Sequence, residues 1–308
     1  MRRKDDILWK VVMEEVFDDL LRFVYADADQ VYDLERGFEF LEKELAEIDP
    51  EPGQPSDTRF ADKLVKVYHR DGEEEWVLMH VEIQGDAADR AQFARRMFRY
   101  FYRILDRFDR PVSAIAIFTG RDGRLMPCSF GYKYRGTRVV YEYQAISILD
   151  YSDRELEMSG NPFALVILAA KTALLAGRLP EEELLERKVE IGMMLLRKGF
   201  SGRKVRAIFR FLENVVLFEN REMNRNFMEK IYSKDKTSFM GIDEFDRLEG
   251  IEIGMEKGEQ KGREEGRQEA QQIFIENLLA GTEFSDDKIA ALANVSVEMV
   301  EEVRRGMN

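Results

Sequence analysis

Residues 60 to 118 place the tightest constraint on what this chain can fold into. FADKLVKVY and EEWVLMHVEIQ are rich in Val, Leu, Tyr and Trp and are joined by HRDGE, in which Asp71-Gly72 predicts a tight hairpin turn. From about residue 87 to 110 the apolar period changes, and Phe93, Met97, Phe101, Ile104 and Phe108 form one stripe of a helix. PVSAIAIFTG follows as a short continuous apolar run, the pattern of a strand covered on both faces. A helix between two strands is what a parallel crossover requires, so the segment predicts an α/β arrangement. VVYEYQAISIL reads as one more strand.

The flanking segments are helical. Leu8, Val12, Val16 and Phe23 recur at helical spacing between Asp5 and about Tyr25, and the Pro-rich EIDPEPGQPSD is a connector without regular structure. NPFALVILAAKTALLAG ends in Gly177, and PEEELLERKVEIGMMLLRKG has Pro180 at its start and Gly199 at its end. A third helix covers SGRKVRAIFRFLENVVLF. These patterns divide the chain into an α/β domain over 1–160, an all-helical subdomain over 161–248 packed beside the sheet, and a tail over 249–308. In the tail Gly250, Gly254, Gly258, Gly262 and Gly266 recur at a spacing of four, which reads either as a charged flexible linker or as a self-association helix. DDKIAALANVSVEMVEEVRR resembles a helix-turn-helix turning at Asn294. Glu298, Glu301 and Glu302 on its second helix would repel phosphates, so a helical hairpin for protein contact fits better.

Composition narrows the chemistry. One cysteine, Cys128, and two histidines, His69 and His80, leave no disulfide framework and no multi-cysteine zinc site, so catalysis falls to carboxylates. The formal net charge of −13 argues against coating nucleic acid by bulk charge. MRRKDDILWKVV lacks the apolar stretch of a signal peptide, and no run of ~18 apolar residues could span a bilayer. A cytoplasmic protein with no membrane partner is expected.

The hairpin carries the candidate site. A three-residue loop of Asp71, Gly72 and Glu73 would set Asp62 directly across from Glu82, with Cβ atoms ~5 Å apart, a spacing suited to gripping one hard cation such as Mg²⁺. A two-residue loop would put the two carboxylates on opposite faces.

From ADKLVKVY through VLMHVEIQG to FARRMFRYFYRIL, the chain resembles the recombination-promoting nuclease and putative transposase family, a branch of the PD-(D/E)XK nuclease superfamily. The resemblance covers roughly residues 1 to 160 and implies a restriction-endonuclease-like core, a mixed central sheet flanked by helices. It makes Asp62 and Glu82 ligands of Mg²⁺ or Mn²⁺, adds the carbonyl of Ile83 as a third ligand, and places Gln84 where the superfamily has its catalytic lysine. Glutamine can orient a water by hydrogen bonding but carries no charge. Ala61 stands where the superfamily has proline. First-helix acids of the superfamily make Glu15 an accessory candidate, and His80 shares a face with Glu82.

Seven arginines between Arg90 and Arg110 reverse the sign of the chain locally, with Arg95, Arg96, Arg99, Arg103 and Arg107 on the side of the helix away from the apolar stripe. Arg96 and Tyr100 also match the family pattern. With the basic stretches Arg121–Arg138 and Arg197–Arg210 they suggest a nucleic-acid track. The expected activity is metal-dependent hydrolysis of DNA phosphodiesters, linked to recombination or transposition-like events. The competing expectation is a catalytically silent nuclease fold serving as an oligomeric interaction module through 249–308. RNA is a weaker alternative substrate.

Overall fold

The computed structural model describes residues 2–47, 60–82, 90–218, 220–235, 271–282 and 284–307. Most of the connector, Ile83, Gln84 and the glycine repeat lie outside them, as do the side chains of Asp62, His80 and Glu82. The chain divides into two compact units, Met1–Ile242 and Asp243–Asn308.

The first unit is mixed α/β. Helices α1 (Arg2–Val24) and α2 (Ala28–Val31) lead to β1 (Glu39–Phe40), α3 (Glu42–Glu47), β2 (Phe60–Tyr68) and β3 (Glu74–Glu82). The predicted crossover helix is α4 (Arg90–Phe108), and it returns the chain to β4 (Val112–Phe118). The expected strand VVYEYQAISIL is two: β6 (Thr137–Glu142) pairs antiparallel with β5 (Ser129–Tyr134) in a separate hairpin, and β7 (Gln144–Ser147) joins the main sheet. The division falls at Tyr143, whose N–H donates to the Cys128 carbonyl and whose hydroxyl donates to the Pro127 carbonyl. The five-stranded order is β1-β2-β3-β4-β7, with β3, β4 and β7 parallel and β1 and β2 joined by antiparallel pairing.

Strand alternation sorts the sheet into two faces. Leu64, Trp76, Leu78, Ala114, Ala116 and Phe118 pack with Phe93, Met97, Tyr100 and Ile104 of α4. Val65, Val67, Val77, Met79, Ile115 and Ile117 pack on the other side with α1 and the later helices. Each large aliphatic or aromatic side chain enclosed in this way contributes about 1.5–3 kcal/mol.

The later helices are α5 (Asp153–Met158), α6 (Pro162–Ala173), α7 (Glu181–Arg197), α8 (Gly202–Val215) and α9 (Arg221–Lys234). Side-chain caps start several of them: Ser152, Asn161, Ser201 and Asn220 each accept from a backbone N–H in the first turn. Gly177 and Gly199 take φ of +72° and +70° where α6 and α7 give way to loops. Every residue from Pro162 to Ala170 is buried, so α6 is enclosed on all sides and the helical segment shares one core with the sheet. An ionic clamp adds to it: Lys204 of α8 lies 2.8 Å from Asp18 and 2.6 Å from Asp19 of α1, and Arg22 lies 2.7 Å from Asp18.

The described part of the second unit contains helix α10 (residues 271–281), α11 (Asp286–Ala293) and α12 (Val297–Met307). They enclose a small core of Ile275, Ile289, Ala290, Ala293 and Val300. Asn294 makes the predicted turn at φ +53°, and Arg304 pairs with Asp286 at 2.5 Å.

Lys188 is fully buried among the α7–α9 helices. Its ammonium donates to the carbonyls of Glu213 and Val216 at the end of α8, at 2.9 and 2.8 Å, and lies over the rings of Phe218 and Phe227. Burial pulls its pKa down to about 8, with Glu213 working weakly in the opposite sense. Between that value and its ordinary 10.5 the unfolded chain binds the proton that the folded chain has released, so stability from this site rises with pH. Wild type is therefore expected to gain on the order of 1–3 kcal/mol relative to Lys188→Met between pH 7.5 and 10 in urea titrations, whereas a constant difference would refute the buried amine.

Candidate functional site

Three chain segments converge at one end of the sheet: the start of β2, the end of β3 and the first turns of α4. Glu82 is the register partner of Phe118, and Phe118 meets Phe93 at 5.1 Å between ring centroids. The end of β3 therefore lies level with the first turn of α4. In open α/β sheets the crevice beyond the carboxyl ends of parallel strands is where ligands bind.

The hairpin register differs from the expectation. Asp62 stands opposite His80, and Glu82 stands opposite Phe60. The cause is the position of the glycine within the turn. His69 N–H donates to Glu73 O, so the three loop residues are Arg70, Asp71 and Gly72, with Gly72 last at φ +93°. A three-residue loop needs its left-handed residue in the last place, and the expected loop would have put Glu73 there. The Asp71 carboxylate accepts from Glu73 N–H and closes the turn. Sliding the loop by one residue moves every cross-strand partner by two, so alternation is preserved and Asp62, His80 and Glu82 remain in one alternating set.

The expected direct opposition of Asp62 and Glu82 is therefore not formed, and the two are diagonal neighbours in the register. Diagonal neighbours across an antiparallel pair lie ~7 Å apart, against ~5 Å for directly opposed residues. A second group of possible ligand atoms, on His69, Asp71 and Glu73, falls within 4.8 Å at the turn, the opposite end of the strands. There His69 Nε2 is 2.8 Å from the Glu75 carboxylate, which also accepts from the Tyr32 hydroxyl.

The first helix reaches the sheet through Glu14, where the sequence pointed to Glu15. Lys63, next to Asp62, is buried with its ammonium between Glu14 of α1 and Glu42 of α3, the latter at 2.8 Å, and over the Phe40 ring. Glu15 instead lies 3.9 Å from Arg203 of α8. Burial opposes the Lys63 charge, but the two carboxylates outweigh it and raise its pKa, while the hydrogen bond from Lys63 lowers that of Glu42. Sequence reasoning missed this ion group, though one signal was present: Lys63 interrupts the alternating set of Val65 and Val67 that forms the inner face of β2.

On α4, Arg95 is exposed, and Arg96, Arg99 and Arg103 are half-buried. Tyr100 belongs to the core stripe at 7% exposure, and Phe101 and Phe108 of the expected stripe flank it. The Arg96 guanidinium packs over Phe93. A cleft of about 650 Å³ opens between the start of α4 and the start of β5, lined by Arg90, Arg95, Ser129 and Phe130 among others. Elsewhere several members of the expected basic track serve the fold: Lys204 joins the clamp to α1, Lys198 donates to the carbonyls of Glu157 and Ser159, and Arg121 donates to that of Leu174.

No family model matches the chain, and comparison with curated proteins and with solved structures returns no match.

Replacing Lys63 with Met should cost about 1–2 kcal/mol at pH 7, because it removes two charge-assisted hydrogen bonds from a buried stem. Glu42 contributes above the ordinary carboxylate range and loses its contribution as pH falls through its lowered value. The gap between wild type and Lys63→Met should therefore narrow below about pH 4 in chemical denaturation, and a gap that widens in acid would contradict the pairing.

Proposed function

We propose that this chain is a divalent-metal-dependent nuclease that hydrolyses DNA phosphodiesters during recombination or transposition-like events, on a restriction-endonuclease-like core of the PD-(D/E)XK kind. The observation that carries this reading is the convergence of the β2 start, the β3 end and the arginine-bearing first turns of α4 at the carboxyl end of the parallel strands. The order hairpin, crossover helix, parallel strand also agrees with such a core.

Asp62 and Glu82 would hold Mg²⁺ or Mn²⁺, with the Ile83 carbonyl as a further oxygen donor. When bound, the cation supplies Lewis-acid charge beside the scissile phosphate. His80, directly across from Asp62 in the register, is suited to orient that carboxylate through a hydrogen bond. Gln84 would hold a water by its amide without contributing positive charge. Arg95, Arg96, Arg99 and Arg103 would fix the backbone phosphates by charge-assisted hydrogen bonds.

The test is nicking of supercoiled plasmid in Mg²⁺ and in Mn²⁺. A folded Glu82→Gln variant should lose at least ~100-fold in rate, because a neutral amide is a poor partner for a hard cation. Undiminished nicking in that variant removes the assignment. A wild-type protein that binds no divalent cation and cuts nothing favours the silent interaction module.

A further inference from the structure

The β5–β6 hairpin stands apart from the five-stranded sheet and has two unlike ends. Its foot is anchored: Phe130 stacks on Phe98 of α4 at 4.8 Å and 14°, and Tyr141 stacks on Phe101 at 4.6 Å and 28°. The register pairs Phe130 with Tyr141, Tyr132 with Val139 and Tyr134 with Thr137, so Tyr132 and Tyr134 continue the face that carries Phe130. Beyond the anchor that face leaves α4 and enters solvent. Tyr132 is 47% exposed and Tyr134 62%.

The charges at the same end are equally unusual for so acidic a chain. Lys133 is directly paired with Arg138, and both are exposed. Like charges directly opposed destabilise a strand pair. Arg135 lies at the tip with φ +49°, its guanidinium 6.0 Å from the Tyr134 ring. Residues 129–142 hold these three cations against the single acid Glu142, within a protein of net charge −13. Lys133 and Arg138 lie on the face opposite the rings, with Arg135 between the two faces at the tip, so a polyanion passing round the tip would offset the repulsion while the exposed rings met flat apolar surface.

We propose that the hairpin grips single-stranded nucleic acid that wraps its tip, with Tyr132 and Tyr134 stacking on unpaired bases on one face, Arg135 holding a phosphate at the tip, and Lys133 and Arg138 holding the backbone where it passes onto the opposite face; this names the form of the substrate and rests on the preceding reading only for its chemical class. Spacing selects the single strand. Side chains two residues apart on a strand are separated by ~6.8 Å, about twice the 3.4 Å rise between stacked bases, so each ring needs a gap that a closed duplex lacks. Aromatic platforms next to a basic track are the usual chemistry for such strands, because every base has a stackable face. The cleft beside Phe130, with Arg90 and Arg95 at its rim, then receives the nucleotide that follows toward the end of β3.

Fluorescence anisotropy of the full-length protein in EDTA, with labelled oligo-dT, oligo-rU and a blunt duplex, tests the grip without cleavage. Wild type should prefer the single strands. Tyr132→Ala/Tyr134→Ala should weaken them at least ~10-fold while leaving the salt dependence unchanged, and Tyr132→Phe/Tyr134→Phe should restore the affinity. Lys133→Ser/Arg138→Ser should lower the slope of log affinity against log salt by about 1.4, ~0.7 for each cation removed. Preference for the duplex, indifference to the tyrosine pair, or binding of no polynucleotide would overturn the proposal. A protein that grips single strands in EDTA yet never nicks in Mg²⁺ keeps the grip and loses the nuclease reading. One that nicks normally with both tyrosines removed keeps the nuclease reading, and unchanged single-strand affinity in that variant removes the grip.

Discussion

Gly72 closes the β2–β3 turn at φ +93°, a conformation that costs a residue with a Cβ about 1 kcal/mol or more. That preference fixes which three residues form the loop, and the loop fixes every rung above it. At the far end of the strands it decides that Asp62 faces His80 and that Glu82 lies one diagonal step further. Asp62 and Glu82 owe their place in one alternating set to the even offset, and their diagonal rather than direct pairing to the glycine occupying the last loop position. The register at the far end of two long strands is thus set by a single backbone angle at the near end.

Hairpin, helix and buried strand were legible because each has its own apolar period and recognisable turn residues. Helices α6 and α7 were legible through Pro180, Gly177 and Gly199. Strand β5 was not: SFGYKY does alternate Phe130, Tyr132 and Tyr134, but it is short, holds Gly131 and lies in a basic stretch, and most of its residues are exposed. Helix α9 fell inside the expected helical segment but was not delimited, since REMNRNFMEKIYSK is dominated by polar residues around Phe227 and Ile231. The sequence separated the helical segment from the sheet at about residue 161, yet α6, apolar on every side, demands neighbours all round and finds some of them on α1. For the site, the strands and their alternation were readable, but the rung pairing Asp62 with its neighbour was not. A glycine could be recognised as a turn residue, but which turn position it takes depends on the three-dimensional loop.

Charge in this protein is spent in two ways. Lys63, Lys188, Lys198 and Lys204 are drawn inward to carboxylates or helix-end carbonyls, where they tie one element to another. The guanidinium groups of α4 and the cations of the β5–β6 hairpin stand outside the main core on one side of the sheet. Counting basic residues along the chain merges the two groups, whereas burial separates the cations that tie elements together from those nearer the surface.

The five-stranded sheet also has short rims: β1 has two residues and β7 four, against nine each for β2 and β3. Unpaired N–H and C=O groups along a rim are the template on which a second chain can add itself, and short rims offer few of them. The long strand β3 is thus enclosed between β2 and β4, while β1 covers β2 only at Val65 and Lys66. The detached two-stranded ribbon retains longer rims, with Lys133, Arg135 and Arg138 along them. Mutual repulsion between those cations guards the ribbon against self-addition, and neutralising them chemically would remove that guard.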